Sequence, residues 1–203
     1  MALIYISLAS PLVVLLLGWK QRYTLLWFYA AAGWLIDNSG MILKAHGLRP
    51  YLFGDIFILS EIFFVSFYYK DKIFNSKILF GLLTIVMALG FTIHTLLVGF
   101  GQLNYQGAGI LCACYMIYGI AGYLKMLRNP PLIYLNHSPF FWINTGFFLY
   151  AASNCLLFLF ANYLRKESFN LMLSIWGSFF VLVNILHYIF IAIGLYKTTP
   201  REA

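Results

Sequence analysis

Three carboxylate side chains, those of Asp37, Asp55 and Glu61, lie inside long hydrophobic stretches of the sequence. The chain has only six acidic residues, so half of them have mainly apolar neighbours. A charged group at the depth of a lipid bilayer is costly, and such residues usually face a bundle interior, where they bind a ligand or relay protons. These three side chains are therefore the first candidates for a functional site.

Further polar side chains occur at comparable places in other hydrophobic stretches. At a helical rise of about 1.5 Å per residue, Asp37, Asp55 and His94 all lie roughly 8–9 Å from the same predicted membrane boundary, the outer one. Because charged and polar groups at one depth can share a site, we predict a polar ligand-binding cavity in the outer half of the bundle. Its predicted lining is Asp37, Asn38, Asp55, Glu61, His94 and Asn154.

Glu61 lies nearest the middle of its stretch and is the sharpest of these candidates. Loss of water disfavours the charged form of a carboxyl group unless hydrogen-bond donors or a cation stabilise it. We therefore expect a hydrogen-bonded link from Glu61 toward His94 on the next stretch, directly or through Asn154. Replacing Glu61 by glutamine should keep the fold and abolish function.

The last hydrophobic stretch carries a second pattern of small and polar residues. They recur every three or four residues: Asn170, Ser174, Gly177, Val181, Asn184 and then His187 or Tyr188. Such a stripe marks the face of a helix that packs on other helices. Asn184 and His187 are one turn apart toward the inner end, and we predict that they form a second polar pair.

These side chains must be positioned by membrane-spanning helices, because the composition is not that of a water-soluble domain. Hydrophobic residues make up 63% of the 203 residues and charged residues 9%, whereas soluble domains have about 25% charged residues. Seven stretches approach the length of about 20 residues that crosses a bilayer: roughly 2–19, 23–43, 50–69, 78–100, 103–124, 139–163 and 169–196. The sequence predicts an all-α polytopic membrane protein, a seven-helix bundle forming a single domain over residues 1–203.

The distribution of Lys and Arg between the stretches predicts the orientation. The connections on one side carry nine of these cations: Lys20, Arg22, Lys70, Lys72, Lys77, Lys125, Arg128, Lys197 and Arg201. The other side carries four: Lys44, Arg49, Arg165 and Lys166. Because cytoplasmic connections are enriched in Lys and Arg, the N-terminus is expected outside and the C-terminus in the cytoplasm of a bacterial inner membrane.

Several classes of function do not fit the sequence. The basic residues are scattered between apolar runs rather than clustered as in nucleic-acid-binding surfaces. Cys112 and Cys114 would point about 200° apart on a helix, so they cannot share a metal. A retinal protein needs a lysine deep in its last helix, and here the last stretch has none before Lys197. We therefore predict no nucleic-acid partner, no metal site and no cofactor.

The sixth stretch opens with an aromatic-rich run and continues with polar and aromatic residues at helical spacing. The residues are Ser138-Pro139-Phe140-Phe141-Trp142-Ile143-Asn144-Thr145-Gly146, then Tyr150, Asn154, Phe158 and Asn162. Together with Glu61 and a seventh stretch starting near Asn170, this pattern resembles a group of uncharacterised bacterial seven-helix membrane proteins. Members of that group are often encoded near sensor histidine kinases, so the resemblance implies a sensory role.

A weaker resemblance is to the lysoplasmalogenase-type membrane hydrolases. It rests on Gly54-Asp55-Ile56, which is similar to a Gly-Asp motif of those enzymes, and on the aspartates within apolar stretches. This resemblance implies an intramembrane hydrolase as an alternative to a sensor.

The leading hypothesis from the sequence is a sensor or receptor-like module that binds a small or lipid-like ligand. The connections are too short to fold as an effector domain, so a signal would pass to a separate membrane or cytoplasmic protein, and a homo-oligomer is an open alternative. Two other functions remain open. One is a lipid hydrolase, in which carboxylates and His94 would bind a metal or activate water; the other is a proton-coupled carrier with Glu61 as the titrating group.

Overall fold

A computed structural model describes residues 2–21, 24–47, 51–74, 76–99, 104–129 and 135–198. The longer elements in these residues are all α-helices: α1 (Ala2–Leu17), α2 (Leu25–Ala45), α3 (Tyr51–Ile73), α4 (Lys77–Val98), α5 (Tyr105–Arg128), α6 (Pro139–Glu167), α7 (Phe169–Ile175) and α8 (Val181–Lys197). A π-helical turn, Trp176–Phe180, joins α7 to α8. These three segments follow one another without a break, and together we call them the C-terminal helix. Short 3₁₀ turns occur at Trp19–Gln21 and Leu135–His137.

Helices occur where the hydrophobic stretches predict them, with ends within four residues of the predicted limits. Four are long and apolar enough to cross a membrane: Lys77–Val98, Tyr105–Arg128, Pro139–Glu167 and Asn170–Lys197. Among the described residues, the apolar segment of α1, Tyr5–Leu17, is shorter. The fold is therefore an all-helical bundle with several helices able to span a membrane, and the seven-span count and the orientation stay predictions.

Polar residues at the helix ends explain where several helices start. The side chain of Ser76 accepts a hydrogen bond from the backbone N–H of Leu79, and that of Asn104 accepts one from Gly107. Such N-caps satisfy backbone donors that have no partner inside the helix. At the other end of α4, Gly99 has a φ of 103°, a conformation that favours glycine.

The centre of the bundle is formed by α6 and α8. Helix α6 packs most extensively on α5 and on α8, and α8 also packs along α1. The approach of α6 to α8 is close at Gly146, where an added Cβ would lie 3.1 Å from the carbonyl oxygen of His187. Large apolar side chains such as Leu97 and Ile78 point outward, as expected for surfaces that face lipid.

Candidate functional site

A hydrogen-bonded group of three side chains lies in the core and joins three helices. The hydroxyl of Tyr29 on α2 donates to Oε1 of Glu61 on α3 at 3.0 Å, and the oxygen of this Tyr29 hydroxyl lies 3.0 Å from Nε2 of His187 on α8. Tyr29 and His187 are each 1% exposed and Glu61 is 5% exposed. We call these residues the core triad. It places three groups with exchangeable protons in one connected line, away from water.

Aromatic rings enclose the imidazole of this triad. The ring of His187 lies 4.7 Å from that of Tyr150, 4.9 Å from Phe147 and 5.2 Å from Tyr188, measured between centroids. Its Nδ1 atom faces the backbone of Gly146 without reaching hydrogen-bonding geometry. The packing thus fixes the orientation of the ring, so that Nε2 is directed at Tyr29.

A small enclosed cavity of about 40 Å³ lies on the other side of Glu61, between α3, α5 and α6. Its lining is Phe57, Ile58, Glu61, Ala108, Leu111, Cys112, Tyr115, Tyr150 and Phe158. The hydroxyl of Tyr115 is buried and has no hydrogen-bond partner among the residues that the structure describes. A space of this size next to polar groups has room for water, so water held there would hydrogen-bond to Glu61 and Tyr115.

Asn154 belongs to the same region and is a stronger anomaly. It is 0% exposed, and neither Nδ2 nor Oδ1 has a hydrogen-bond partner in the described part of the chain. Asn154 lies one turn after Tyr150 and one turn before Phe158, and both of these line the small cavity. Because buried amides are nearly always paired, the amide of Asn154 is a candidate contact for water or a polar ligand in this part of the core.

A larger pocket opens at the end of the bundle where α2 and α6 finish, which is the outer end in the predicted orientation. We call it the outer pocket. Its volume is about 670 Å³, and its lining is Ser7, Leu8, Asp37, Lys44, Tyr105, Arg165, Met172, Leu173, Trp176, Gly177, Phe180, Val181 and Asn184. Volumes of roughly 300–1,000 Å³ are typical of sites for small molecules. The C-terminal helix supplies seven of these residues, including two of the π-helical turn's aromatic rings.

The six residues predicted for one cavity are distributed among several places. Glu61 lies in the core triad, Asn154 lies beside the small cavity, and Asp37 lines the outer pocket. The side-chain amide of Asn38 donates to the carbonyl of Trp34 in its own helix, at 2.7 Å. The sequence thus placed together residues that the structure divides between the outer pocket and the core.

The remaining two predicted cavity residues lie on α3 and α4. Asp55 is buried, with 4% of its surface exposed. His94 is half-buried, and its Nδ1 atom has no hydrogen-bond partner within the described ranges of the chain. The expected link between Glu61 and His94 is corrected by the structure, in which the hydrogen bond of Glu61 goes to Tyr29.

The predicted second polar pair, Asn184 and His187, is directed at two different partners. Nδ2 of Asn184 donates to Oγ of Ser7 at 3.0 Å, which ties α8 to α1. His187 instead faces Tyr29 and belongs to the core triad. The two residues are therefore one turn apart on one helix, but one lies in the outer pocket and the other in the core.

Tyr29 is the residue that the sequence interpretation missed, although a signal for it exists. Counted from the predicted inner boundaries, Tyr29, Glu61 and His187 lie six, eight and nine residues deep, which is roughly 9–14 Å at the helical rise. When depth is counted from the outer boundary alone, Glu61 and His187 fall at different levels. The reason is that the seventh stretch is the longest, so its residues near the inner end lie far from the outer boundary.

Neither local geometry nor similarity identifies a known enzyme class. Among the residues that the structure describes, no three His, Cys, Asp or Glu side chains are grouped so that they could hold one metal ion. No family model matches the chain, and no curated protein or solved structure is significantly similar to it. The function must therefore be argued from the outer pocket, the core triad and the helix that joins them.

Proposed function

We propose that this protein is a receptor-like membrane module that binds an amphipathic small molecule in the outer pocket and transmits its binding to the core triad. The observation that carries the proposal is the course of the C-terminal helix. Its residues Gly177, Phe180, Val181 and Asn184 line the outer pocket, and His187, at the next position of the same stripe, reaches Tyr29. A shift of this helix on ligand binding would therefore act directly on the triad.

A second chain of contacts leads from the outer pocket to the core. The ring of Trp176, in the π-helical turn, lies 5.6 Å from that of Phe158 on α6, and Phe158 lines the small cavity beside Glu61. π-helical turns within α-helices occur frequently at functional sites. Movement of Trp176 would thus change the shape of the small cavity as well as the position of α8.

The lining of the outer pocket defines the chemistry of its ligand. Lys44 and Arg165 are exposed at the rim and favour an anionic head group. Trp176 and Phe180 supply apolar surface for a chain or ring. Asp37 lies seven residues before Lys44, about 10 Å deeper along α2, and would accept a hydrogen bond from a hydroxyl or amine of the ligand. The supported class is an amphipathic carboxylate or phosphate with a donor group along its length.

Binding can be tested with dansylundecanoic acid, a fluorescent amphipathic carboxylate, and the protein purified in dodecyl maltoside. Arg165→Gln should weaken binding by about tenfold, the equivalent of one charge-assisted hydrogen bond. Lys166→Gln is the matched control, because Lys166 is the next residue, is exposed and does not line the outer pocket. Equal affinities for the two variants would contradict the assignment of the pocket.

Transmission requires a separate measurement, for which hydrogen exchange of the backbone is suitable. In the parent protein, dansylundecanoic acid should slow exchange in the π-helical turn and also change exchange near Leu195, at the far end of α8. Glu61→Gln should keep binding and lose the distant change, because an amide still accepts the hydrogen bond from Tyr29 but can neither carry the negative charge of a carboxylate nor exchange its proton. A distant change that persists in Glu61→Gln would remove the triad from the mechanism.

A second candidate function, a proton-coupled carrier, is favoured by one observation. The core triad links exchangeable protons on α2, α3 and α8, and such intramembrane chains of polar groups are typical of proton relays. In this case, liposomes containing the protein and the dye pyranine should acidify inside after an external drop in pH, and Tyr29→Phe should slow the acidification. A receptor-like module without carrier activity would leave the proton permeability of the liposomes equal to that of protein-free liposomes.

A further inference from the structure

The opposite end of the bundle contains another pocket, which the candidate site above does not use. We call it the inner pocket. Its volume is about 510 Å³, and its lining is Thr24, Leu25, Leu26, Phe67, Tyr68, Lys72, Ser138, Pro139, Phe140, Ile143, Leu195 and Thr198. These residues come from the start of α2, the end of α3, the start of α6 and the end of α8. Its floor is apolar and its rim is polar.

Two long helices begin at this pocket with their caps unused. Thr24 is the N-cap residue of α2 and Ser138 is that of α6, and neither side chain makes a capping hydrogen bond. The first backbone N–H groups of a helix lack partners inside it, and the helix dipole makes this end positive. Two such ends at one pocket favour the binding of an anion there.

Lys72 adds a full positive charge to the same place. Its Nζ atom lies 5.5 Å from the centroid of Tyr68 and 5.4 Å from that of Phe140, and both rings line the inner pocket. The ammonium group is thus held between α3 and α6, at the rim of the pocket. Lys70, two residues earlier, lies over the rings of Phe67 and Phe80, of which Phe67 also lines the inner pocket.

Two buried hydroxyl groups give independent evidence for a ligand. Oγ1 of Thr24 and the phenolic oxygen of Tyr68 are both buried and have no hydrogen-bond partner in the described part of the chain. Both side chains line the inner pocket. Unpaired buried hydroxyls are rare, and a ligand with acceptor oxygens would pair with them.

We propose that the inner pocket binds the phosphate group of an anionic amphiphile. Its oxygens would accept hydrogen bonds from the two hydroxyls, the free N–H groups of α2 and α6, and Lys72. An apolar chain would lie against Leu25, Ile143 and Leu195. The shared chemistry is a phosphate anion, and this proposal does not depend on the outer pocket or its ligand.

The experiment uses the full chain in dodecyl maltoside with three probes: dioctanoyl phosphatidic acid, dioctanoyl phosphatidylcholine and inorganic phosphate. Native mass spectrometry gives the apparent affinity of each, and thermal unfolding gives the shift on binding. Phosphatidic acid should bind saturably and raise the unfolding temperature, and phosphatidylcholine should not. Competition by inorganic phosphate at a similar concentration would identify a free phosphate as the ligand. Its failure to compete would identify a lipid head group.

The variants separate a specific site from general attraction to a basic surface. Lys72→Gln should weaken binding of phosphatidic acid by about tenfold or more. Lys77→Gln removes the same charge at an exposed residue near the same end of α3 that does not line the pocket, and its affinity should stay within about twofold of the parent. Equal losses in the two variants, or equal binding of phosphatidic acid and phosphatidylcholine, would overturn the proposal.

A second variant guards against a folding defect in the first. Thr24→Val removes one unpaired hydroxyl and keeps a similar shape, so the protein without ligand should unfold at the parent temperature. Its affinity for phosphatidic acid should fall by about threefold to tenfold, the range expected for one hydrogen bond. An unchanged affinity in Thr24→Val would show that the hydroxyl does not contact the phosphate and would contradict the geometry proposed for the pocket.

Discussion

Two asparagines on α6, Asn144 and Asn154, share residue type, helix and complete burial, yet their surroundings differ. Asn144 accepts a hydrogen bond from the hydroxyl of Tyr69 at 2.7 Å and donates one to the carbonyl of Gly119 at 3.0 Å. The amide atoms of Asn154 have no partner among the described residues. Both side chains are 0% exposed. The difference therefore does not come from depth in the bundle.

The contrast separates a polar group whose partners lie within the protein from one that has no partner among the described residues. The amide of Asn144 connects α3, α5 and α6. Both its oxygen and its nitrogen have hydrogen-bond partners within the protein. The amide of Asn154 would be destabilising if nothing else bound to it, because an unpaired buried polar group loses its hydrogen bonds to water. Water or a ligand could therefore supply the missing hydrogen bonds around Asn154 and Tyr115, whereas the region around Asn144 has none to fill.

The largest effect on stability should come from Asn144→Leu. This change leaves the hydroxyl of Tyr69 and the carbonyl of Gly119 without partners, so the free energy of unfolding should fall by about 2–4 kcal/mol. Denaturation with increasing sodium dodecyl sulfate from dodecyl maltoside micelles would measure it. A loss below about 0.5 kcal/mol would mean that water replaces the amide, and Asn144 would then not be a structural link.

Tyr29→Phe should have an intermediate effect, because the phenyl ring keeps the contacts with Phe147 and Tyr188. The hydroxyl between Glu61 and His187 is lost, and we expect a loss of about 1–2 kcal/mol, since the adjacent small cavity can supply water to Glu61. Tyr123→Phe is the control, because its hydroxyl makes a single partly buried hydrogen bond, to Thr145.

Function should distinguish these two tyrosine variants more strongly than stability does. Tyr29→Phe should lose the distant change in hydrogen exchange on binding of dansylundecanoic acid, and Tyr123→Phe should keep it. If both variants responded like the parent protein, the core triad would contribute only to packing. The difference between the two regions of α6 would then concern stability alone.

The smallest effect on stability should come from Asn154→Leu. Replacing an unpaired amide by an apolar group of similar size is nearly neutral or stabilising, so the free energy of unfolding should change by less than about 1 kcal/mol in either direction. The same denaturation series measures it beside Asn144→Leu. A loss of stability as large as that of Asn144→Leu would show that the amide of Asn154 is also hydrogen-bonded. The two asparagines would then not differ in the way described.

The sequence predicted the helices well, and the reason is physical. Runs of apolar residues interrupted by charges or prolines define where a helix can lie in lipid. This is why the start of α6 at Pro139 and the end of the C-terminal helix near Lys197 were placed closely. The burial of Glu61 was also predictable, because a carboxylate near the middle of an apolar stretch needs a partner inside the bundle.

The partners themselves could not be read from the sequence. Which helices are neighbours depends on packing at small residues such as Gly146, and that packing brings α8 rather than α4 to the triad. Tyr29 is one of 15 tyrosines, and its hydroxyl is distinguished only by the two groups that meet it. The outer pocket depends on the π-helical turn, for which no sequence signal was recognised.

That turn, Trp176–Phe180, has a consequence for how the protein could diversify. A π turn holds one residue more than the α-helical turn that it replaces, so it acts as an absorbed insertion. Successive side chains of an α-helix are rotated by about 100° around its axis. The additional residue of the π turn therefore changes which side chains of α7 lie on the same face as those of α8. Substitutions in Phe169–Ile175 can therefore alter the lining of the outer pocket while His187 keeps its orientation, so that the pocket and the core triad can evolve as separate parts of one helix.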